Sequence, residues 1–409
     1  MATRQNPAAG GHQEDAHEQG PLRALLASTA GRVLTAIAAA LLLATVVAMV
    51  AMWPAKDKTE PSQALGGKTV AAEVQSTSLT PCGPAGQRCR ELTATISEGP
   101  GKGDIAVLTL GPEEATQSVD PGATIRVSTD AQAPTGAAKY GFVDVDRRTP
   151  LILLVIAFAI IGVVVARRQG FFAVIGLLCS VALITTFLVP AILAGEPPVL
   201  VSVVAGMAVM FITLGLTYGL SAQSLAAATG IGICLLLATL LGSLALDGAQ
   251  LDGRGGEYFQ VLSQANVAGI SLQGIVLAGM VIGALGVLTD TAVTQASAVM
   301  AVRRTNPTLG VRELYHEGFT VGRDHLAATI HTLVMAYVGT LLPLLLVLEA
   351  ADVGISDALN GQLLAEPLVA TIIGSIALMA SVPLTTALTA ILAVRVPAEA
   401  LAGGHEHAH

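Results

Sequence analysis

Asp290, Thr291, Thr294 and Gln295 stand where an apolar stretch, Gly279-Met-Val-Ile-Gly283-Ala-Leu-Gly286-Val-Leu-Thr, turns polar. On a continued helix Asp290 pairs with Thr294 and Thr291 with Gln295 at i, i+4, so each pair points one way. A carboxylate among hydroxyls can hold a cation or pass a proton. At the edge of hydrocarbon it is costly unless it faces protein or water. The same residues also suit a helix that simply ends in cytosolic water. Gly279, Gly283 and Gly286 share a face and would let a second helix approach closely.

A second cluster reads Gly322-Arg323-Asp324-His325-Leu-Ala-Ala-Thr329-Ile-His331-Thr332. On a helix His325, Thr329 and Thr332 share one face, while Asp324 and His331, seven apart, share another. Imidazole titrates near neutral pH, so this set suits proton relay or cation binding inside a bundle. The alternative is a cytosolic helix start, with Asp324 favouring the positive helix end and His331 bonded to a neighbouring helix. Because hydrocarbon-length sequence lies beyond it, His331 is expected to face the bundle interior.

Other chemistry is sparse. Cys82 and Cys89 bracket a Gly/Pro loop and read as a structural disulfide, which needs an oxidising compartment. Cys179 and Cys234 lie in apolar runs and read as packing residues. The tail Gly-Gly-His405-Glu-His407-Ala-His409 lacks a defined geometry, so no metal site or cofactor is expected. No HExxH, P-loop lysine or GxSxG occurs, and no catalytic residue or enzyme activity is indicated.

The elements that must position these residues are apolar helices. The AVILMFWYC share is 53% and only 12% is charged, with a mean hydropathy of +0.69. Soluble domains hold about 45–50% apolar residues with glycine counted and about 25% charged, so this is membrane composition. The net charge of −8 comes with no basic patch interleaved with aromatics, so nucleic acid is not an expected partner. The expected partners are the lipid bilayer and an ion or small solute.

Residues 1–32 read as a disordered tail. Val33–Trp53 follows as a bilayer-length anchor, with a cleaved signal peptide as the alternative. Residues 54–148 change to a soluble composition, with β-type runs at Thr69–Val74, Glu91–Ile96, Ile105–Leu110, Thr124–Ser128 and Tyr140–Val145. Turn residues separate them, as in a small sandwich or barrel of about five strands. A core follows over 149–395, with apolar runs near Pro150–Ala166, Phe171–Leu193, Val199–Leu220, Leu225–Leu246, Val267–Leu288, Leu326–Leu348 and Leu368–Ala393. Val311–Phe319 reads as a separate short amphipathic helix at the membrane face. Residues 396–409 form a second tail. The fold class expected is an all-α bundle of about eight spans carrying an extracytoplasmic β-rich domain.

Arginine tests that count. With the N-terminus in the cytoplasm, Arg167, Arg168, Arg303, Arg304, Arg312, Arg323 and Arg395 all fall inside, and the outer short loops are acidic with one Arg254; Arg147-Arg148, outside beside a long translocated domain, is the one local violation. Positive-inside segregation therefore favours a cell-membrane protein with both tails cytoplasmic. The cytosolic arginines either set orientation or bind lipid head groups.

The run Gly283-Ala-Leu-Gly-Val-Leu-Thr-Asp290-Thr-Ala-Val-Thr-Gln-Ala-Ser297 resembles the YibE/F family of bacterial membrane proteins. So do Asn306-Pro307, Glu313-Leu314 and Gly322-Arg323-Asp324-His325. The resemblance implies an anchor, an extracytoplasmic β domain and a multi-span core, in a family described as membrane proteins or transporters. One departure is His331, where the family pattern suggests Asn. The expectation is a secondary transporter or permease with its pathway between the sixth and seventh spans. A scaffold or sensor working through the β domain is the alternative.

Overall fold

The computed structural model describes residues 28–54, 69–82, 87–99, 101–112, 119–129, 139–255 and 270–395. Most of both expected tails lies outside these residues. The chain forms two compact units, one built on residues 60–170 and the other on the helices before and after it.

In the first unit, β1 (Thr69–Pro81), β2 (Arg88–Ile96), β3 (Ile105–Leu110), β4 (Thr124–Thr129) and β5 (Tyr140–Val145) pair antiparallel. Their order is β3-β2-β1-β4-β5. Period-two alternation sends Val74, Leu92, Ile96, Leu108, Leu110, Ile125 and Val127 to one face, where they form the core. β1 runs seven residues past its sequence-based end at Val74. Its polar second half, Ser76–Pro81, pairs with β2 beyond an irregularity between Val74 and Ser76, and a polar hairpin arm leaves no alternating hydrophobic signal. A disulfide joins Cys82 to Cys89 with Cα atoms 5.5 Å apart. The sheet curls until its opposite edges meet: the Tyr140 hydroxyl donates to Asp104, beside β3, at 2.7 Å.

The helices of the chain are long. α1 (Thr29–Ala51) is capped by Ser28, whose hydroxyl accepts from the Gly31 N–H. α2 (Arg148–Leu183) continues through a π-helical turn into α3 (Val189–Leu193). Together they make a run of 46 residues. Straight, such a helix would reach about 69 Å, more than twice the roughly 30 Å of bilayer hydrocarbon. It is not straight. Arg167 leaves the helix at φ 51, ψ −126. Gly170 lies so close to the Gly162 carbonyl that a Cβ there would overlap it, so the chain turns sharply between these two residues. Among the described residues seven helices are long and apolar enough to cross a membrane, and the break at Arg167 divides one of them in two.

Arginine is strained at that φ, at roughly 1–3 kcal/mol for such conformations. Arg167→Gly is expected to raise the midpoint of thermal unfolding in detergent. Labelling of the buried Cys234 with a thiol-reactive dye during a temperature ramp reads this out. An unchanged or lowered midpoint would count against a strained turn.

The remaining helices are α4 (Pro198–Tyr218), α5 (Ala222–Gly248), α6 (Leu272–Thr305), α7 (Val311–Ala350), the short α8 (Ile355–Asn360) and α9 (Gln362–Arg395). Ser221 and Ser224 form a capping box on α5, and Ser271 caps α6. α4 ends at Gly219, whose φ of 64 suits glycine. The core is made by α5, α6 and α9 packed on one another. One sequence expectation is corrected here. Val311–Phe319 is not a separate surface helix but the first turns of α7, because Leu314, Gly318 and Gly322 bury one unbroken face.

Candidate functional site

α6 does continue through its polar run, and this sorts the four candidates by direction. Thr291 and Gln295 are 1% and 4% exposed, whereas Asp290 and Thr294 face outward. Gln295 is the hub. Its Nε2 donates to the Gly318 carbonyl of α7 at 2.8 Å and to the Thr386 hydroxyl of α9 at 2.7 Å. Thr386 in turn donates to the Val382 carbonyl. One amide thereby ties three helices. A Cβ at Gly322 would overlap the Gln295 side-chain oxygen and stand 2.7 Å from Val382. A Cβ at Gly318 would stand 2.6 Å from Val299. Glycines four apart on α7 are what lets Gln295 reach.

Gln295→Leu should cost about 1–2 kcal/mol, since helix–helix hydrogen bonds in membranes average about 0.6 kcal/mol and two are lost. The thermal midpoint of the purified protein should fall. An unchanged midpoint would mean the amide ties nothing.

The site extends along α9. Ser381, Thr385, Thr386 and Thr389 are buried. Thr386 and Thr389 bond to their own helix, but among the described residues Thr385 has no partner for its hydroxyl, and neither does Thr291 on α6. Thr385 lies against Gly230 of α5, where a Cβ would be 2.6 Å from its hydroxyl. Ser381 faces the thiol of Cys234, a weak partner. Pro383 sits between them inside the helix, with no N–H to return to the carbonyl four residues back. Buried hydroxyls beside an interrupted turn make a polar spot within an apolar core.

The outward candidates behave differently. Asp290 lies within electrostatic reach of Tyr218 at the end of α4. Asp324, His325 and His331 are exposed, and Thr329 is half-buried with its hydroxyl on the His325 carbonyl. His331 therefore does not face the interior; Leu333 and Tyr337 take that side. Among the described residues no hydrogen bond or ion pair joins Asp290 to the α7 cluster, and no group of three potential metal ligands is assembled. The glycine seam is likewise sparse. Gly283 approaches the Tyr337 hydroxyl, while Gly279 and Gly286 have no described neighbour within 4 Å of a built Cβ. In the loop between α6 and α7, Arg303 donates to the carbonyls of Pro307 and Leu309.

The residues that sequence reasoning passed over are Gly318, Ser381, Thr385 and Thr386. Gly318-x-x-x-Gly322 was a readable close-packing signal. The α9 hydroxyls showed only as Ser and Thr within an apolar run.

No curated protein and no solved structure matches this chain. A family model described as YibE/F-like protein matches residues 154–395, more than half of the chain, from within α2 to the end of α9. The long apolar helices and this match point to a membrane protein, and the chain belongs to the YibE/F-like family.

Proposed function

We propose that the protein is a permease of the cell membrane, not an enzyme, and that it carries an ion or small polar solute through the core of α5, α6 and α9. The observation that carries this reading is that two buried hydroxyls flanking the Gln295–Thr386 bond, Thr291 and Thr385, have no hydrogen-bond partner among the described residues. Unsatisfied buried polar groups are rare and mark strain or an absent ion or water. Transporters build midplane sites where helix backbones lose their own hydrogen bonds, and at Pro383 the otherwise continuous α9 lacks one backbone N–H. The arginine asymmetry supports an orientation with both tails cytoplasmic and the sheet outside. Relative to the sequence expectation of a route between the sixth and seventh spans, the pathway moves to the core of α5, α6 and α9, and Asp290 becomes a group at its cytoplasmic margin.

The experiment is electrical. The protein is reconstituted in liposomes on a solid-supported membrane, and charge movement is recorded after jumps in pH and in ion panels. Currents lost in Thr385→Val and kept in Asp290→Asn support the interior route. Currents lost only in Asp290→Asn overturn it in favour of a route between α6 and α7.

A second reading has its own observation. Between the sheet edges β3 and β5 lies a cleft of about 390 Å³ lined by Asp104, Ile105, Val107, Lys139 and Tyr140. Ile105 and Val107 are exposed beside it. The Lys139 ammonium and the Tyr140 hydroxyl hold the Asp104 carboxyl below its ordinary range. This suits capture of an extracytoplasmic ligand by a sensor. Deleting residues 56–146 would then abolish the cellular phenotype, while Thr385→Val would be silent.

A further inference from the structure

α7 has two opposite faces, and among the described residues only one is covered. Leu326, Ile330, Leu333 and Tyr337 are half-buried, on the face that α7 turns to its neighbours. On the other side Asp324, Ala328, His331, Met335, Val338 and Leu342 are all exposed, at alternating steps of four and three. Met335 is 53% and Leu342 54% exposed. A repeat of 3.5 residues is the spacing of a helix seam that packs along its whole length against a partner.

Lipid alone would suffice for an apolar face. The first half of α2 is equally uncovered, but residues 150–166 contain no polar side chain. The α7 stripe differs because Asp324 and His331 lie within it and His325 beside it. Ionisable groups at membrane depth are costly unless they meet one another or water. Among the described residues few groups could meet them. α4 carries no acid, histidine, lysine or arginine, and in α1, α5, α9 and the first half of α2 such groups lie only near the helix ends, as Arg32, Asp247, Glu366 and Arg395 do. The one acid inside α6, Asp290, makes no ion pair with α7. Among the described residues histidine occurs only on α7, so the complementary set of one acid and two imidazoles is found there alone.

We propose that this stripe closes against the same stripe of a second copy, related by a two-fold axis along the membrane normal, and that the polar site at its cytoplasmic end is incomplete without it. In a parallel seam a core position sits beside the flanking position of its partner. That places Asp324 of one copy next to His325 of the other and brings the two His331 imidazoles to one level. The inference needs the chain to cross a membrane but does not need it to transport.

The test uses the full chain in native membranes. Cys179 and Cys234 are replaced by alanine, the Cys82–Cys89 disulfide is kept, and one cysteine is introduced as Ala328→Cys, Met335→Cys or Leu342→Cys. Mild oxidation should then produce a band of twice the chain mass on a non-reducing gel. Ile160→Cys on α2 should stay monomeric. Absence of that band at all three α7 positions overturns the proposal, as does a conjugate of any other mass or equal cross-linking at Ile160. Step counting by photobleaching of singly labelled wild-type protein in nanodiscs guards against cysteine effects. Two steps are expected, and one step overturns the seam. Neither readout depends on charge movement, so loss of the permease reading and loss of the seam are separate results.

Discussion

Gly322→Leu should leave little folded protein in the membrane. The side chain would be driven into the Gln295 amide and Val382 at once, where α6, α7 and α9 meet. Overpacking a tight core costs about 1–3 kcal/mol and sometimes more, and here the Gln295 bonds to Gly318 and Thr386 are also endangered. Together these approach the lower end of the roughly 5–15 kcal/mol by which folded proteins are stable at all. Yield after detergent extraction and the thermal midpoint both report the outcome. Gly339→Leu is the control, since a built Cβ there meets nothing within 4 Å. It should extract and melt like wild type. If Gly322→Leu did so too, the three-helix junction would not be the tight point of the bundle.

Thr385→Val should separate stability from activity. The Thr385 hydroxyl is buried without a partner among the described residues, so replacing it by a methyl removes an unmet polar group at nearly constant shape. A gain of about 1–2 kcal/mol follows, within the range for unsatisfied buried groups. If that hydroxyl serves a passing cation, charge movement should fall at the same time. Hydrogen bonds involving charged groups are worth about 1.5–3 kcal/mol, which is on the order of 10- to 100-fold in apparent affinity. A variant that melts higher and carries less current fits a functional hydroxyl. One that melts higher and carries normal current marks a simple packing flaw, and Thr385 then has no part in transport.

The apolar runs, the β strands and the polar clusters could be located in the sequence because each rests on local pattern. What the pattern lacked was direction. Sequence places His331 seven residues from Asp324 and therefore on one face with it, but nothing local says which face the bundle covers. That was decided by Gly318 and Gly322, which let α7 lie against Gln295 on the opposite side. Polarity misled in a second way. The change from apolar to charged residues around Arg323–His325 suggested a membrane boundary and hence two helices, whereas backbone continuity follows the buried face of Leu314, Gly318 and Gly322. The α9 hydroxyls escaped notice because Ser and Thr inside an apolar run ordinarily bond to their own helix, as Thr386 and Thr389 do. Only the packed structure distinguishes Thr385 from them.

The break at Arg167 bears on more than local geometry. For a chain threading a bilayer, the number of crossings is odd or even, and that parity decides whether the two ends share a compartment. A helix interrupted at Arg167 supplies two candidate crossings where an unbroken one supplies one, so the backbone break at this one residue enters the count on which any assignment of sides rests.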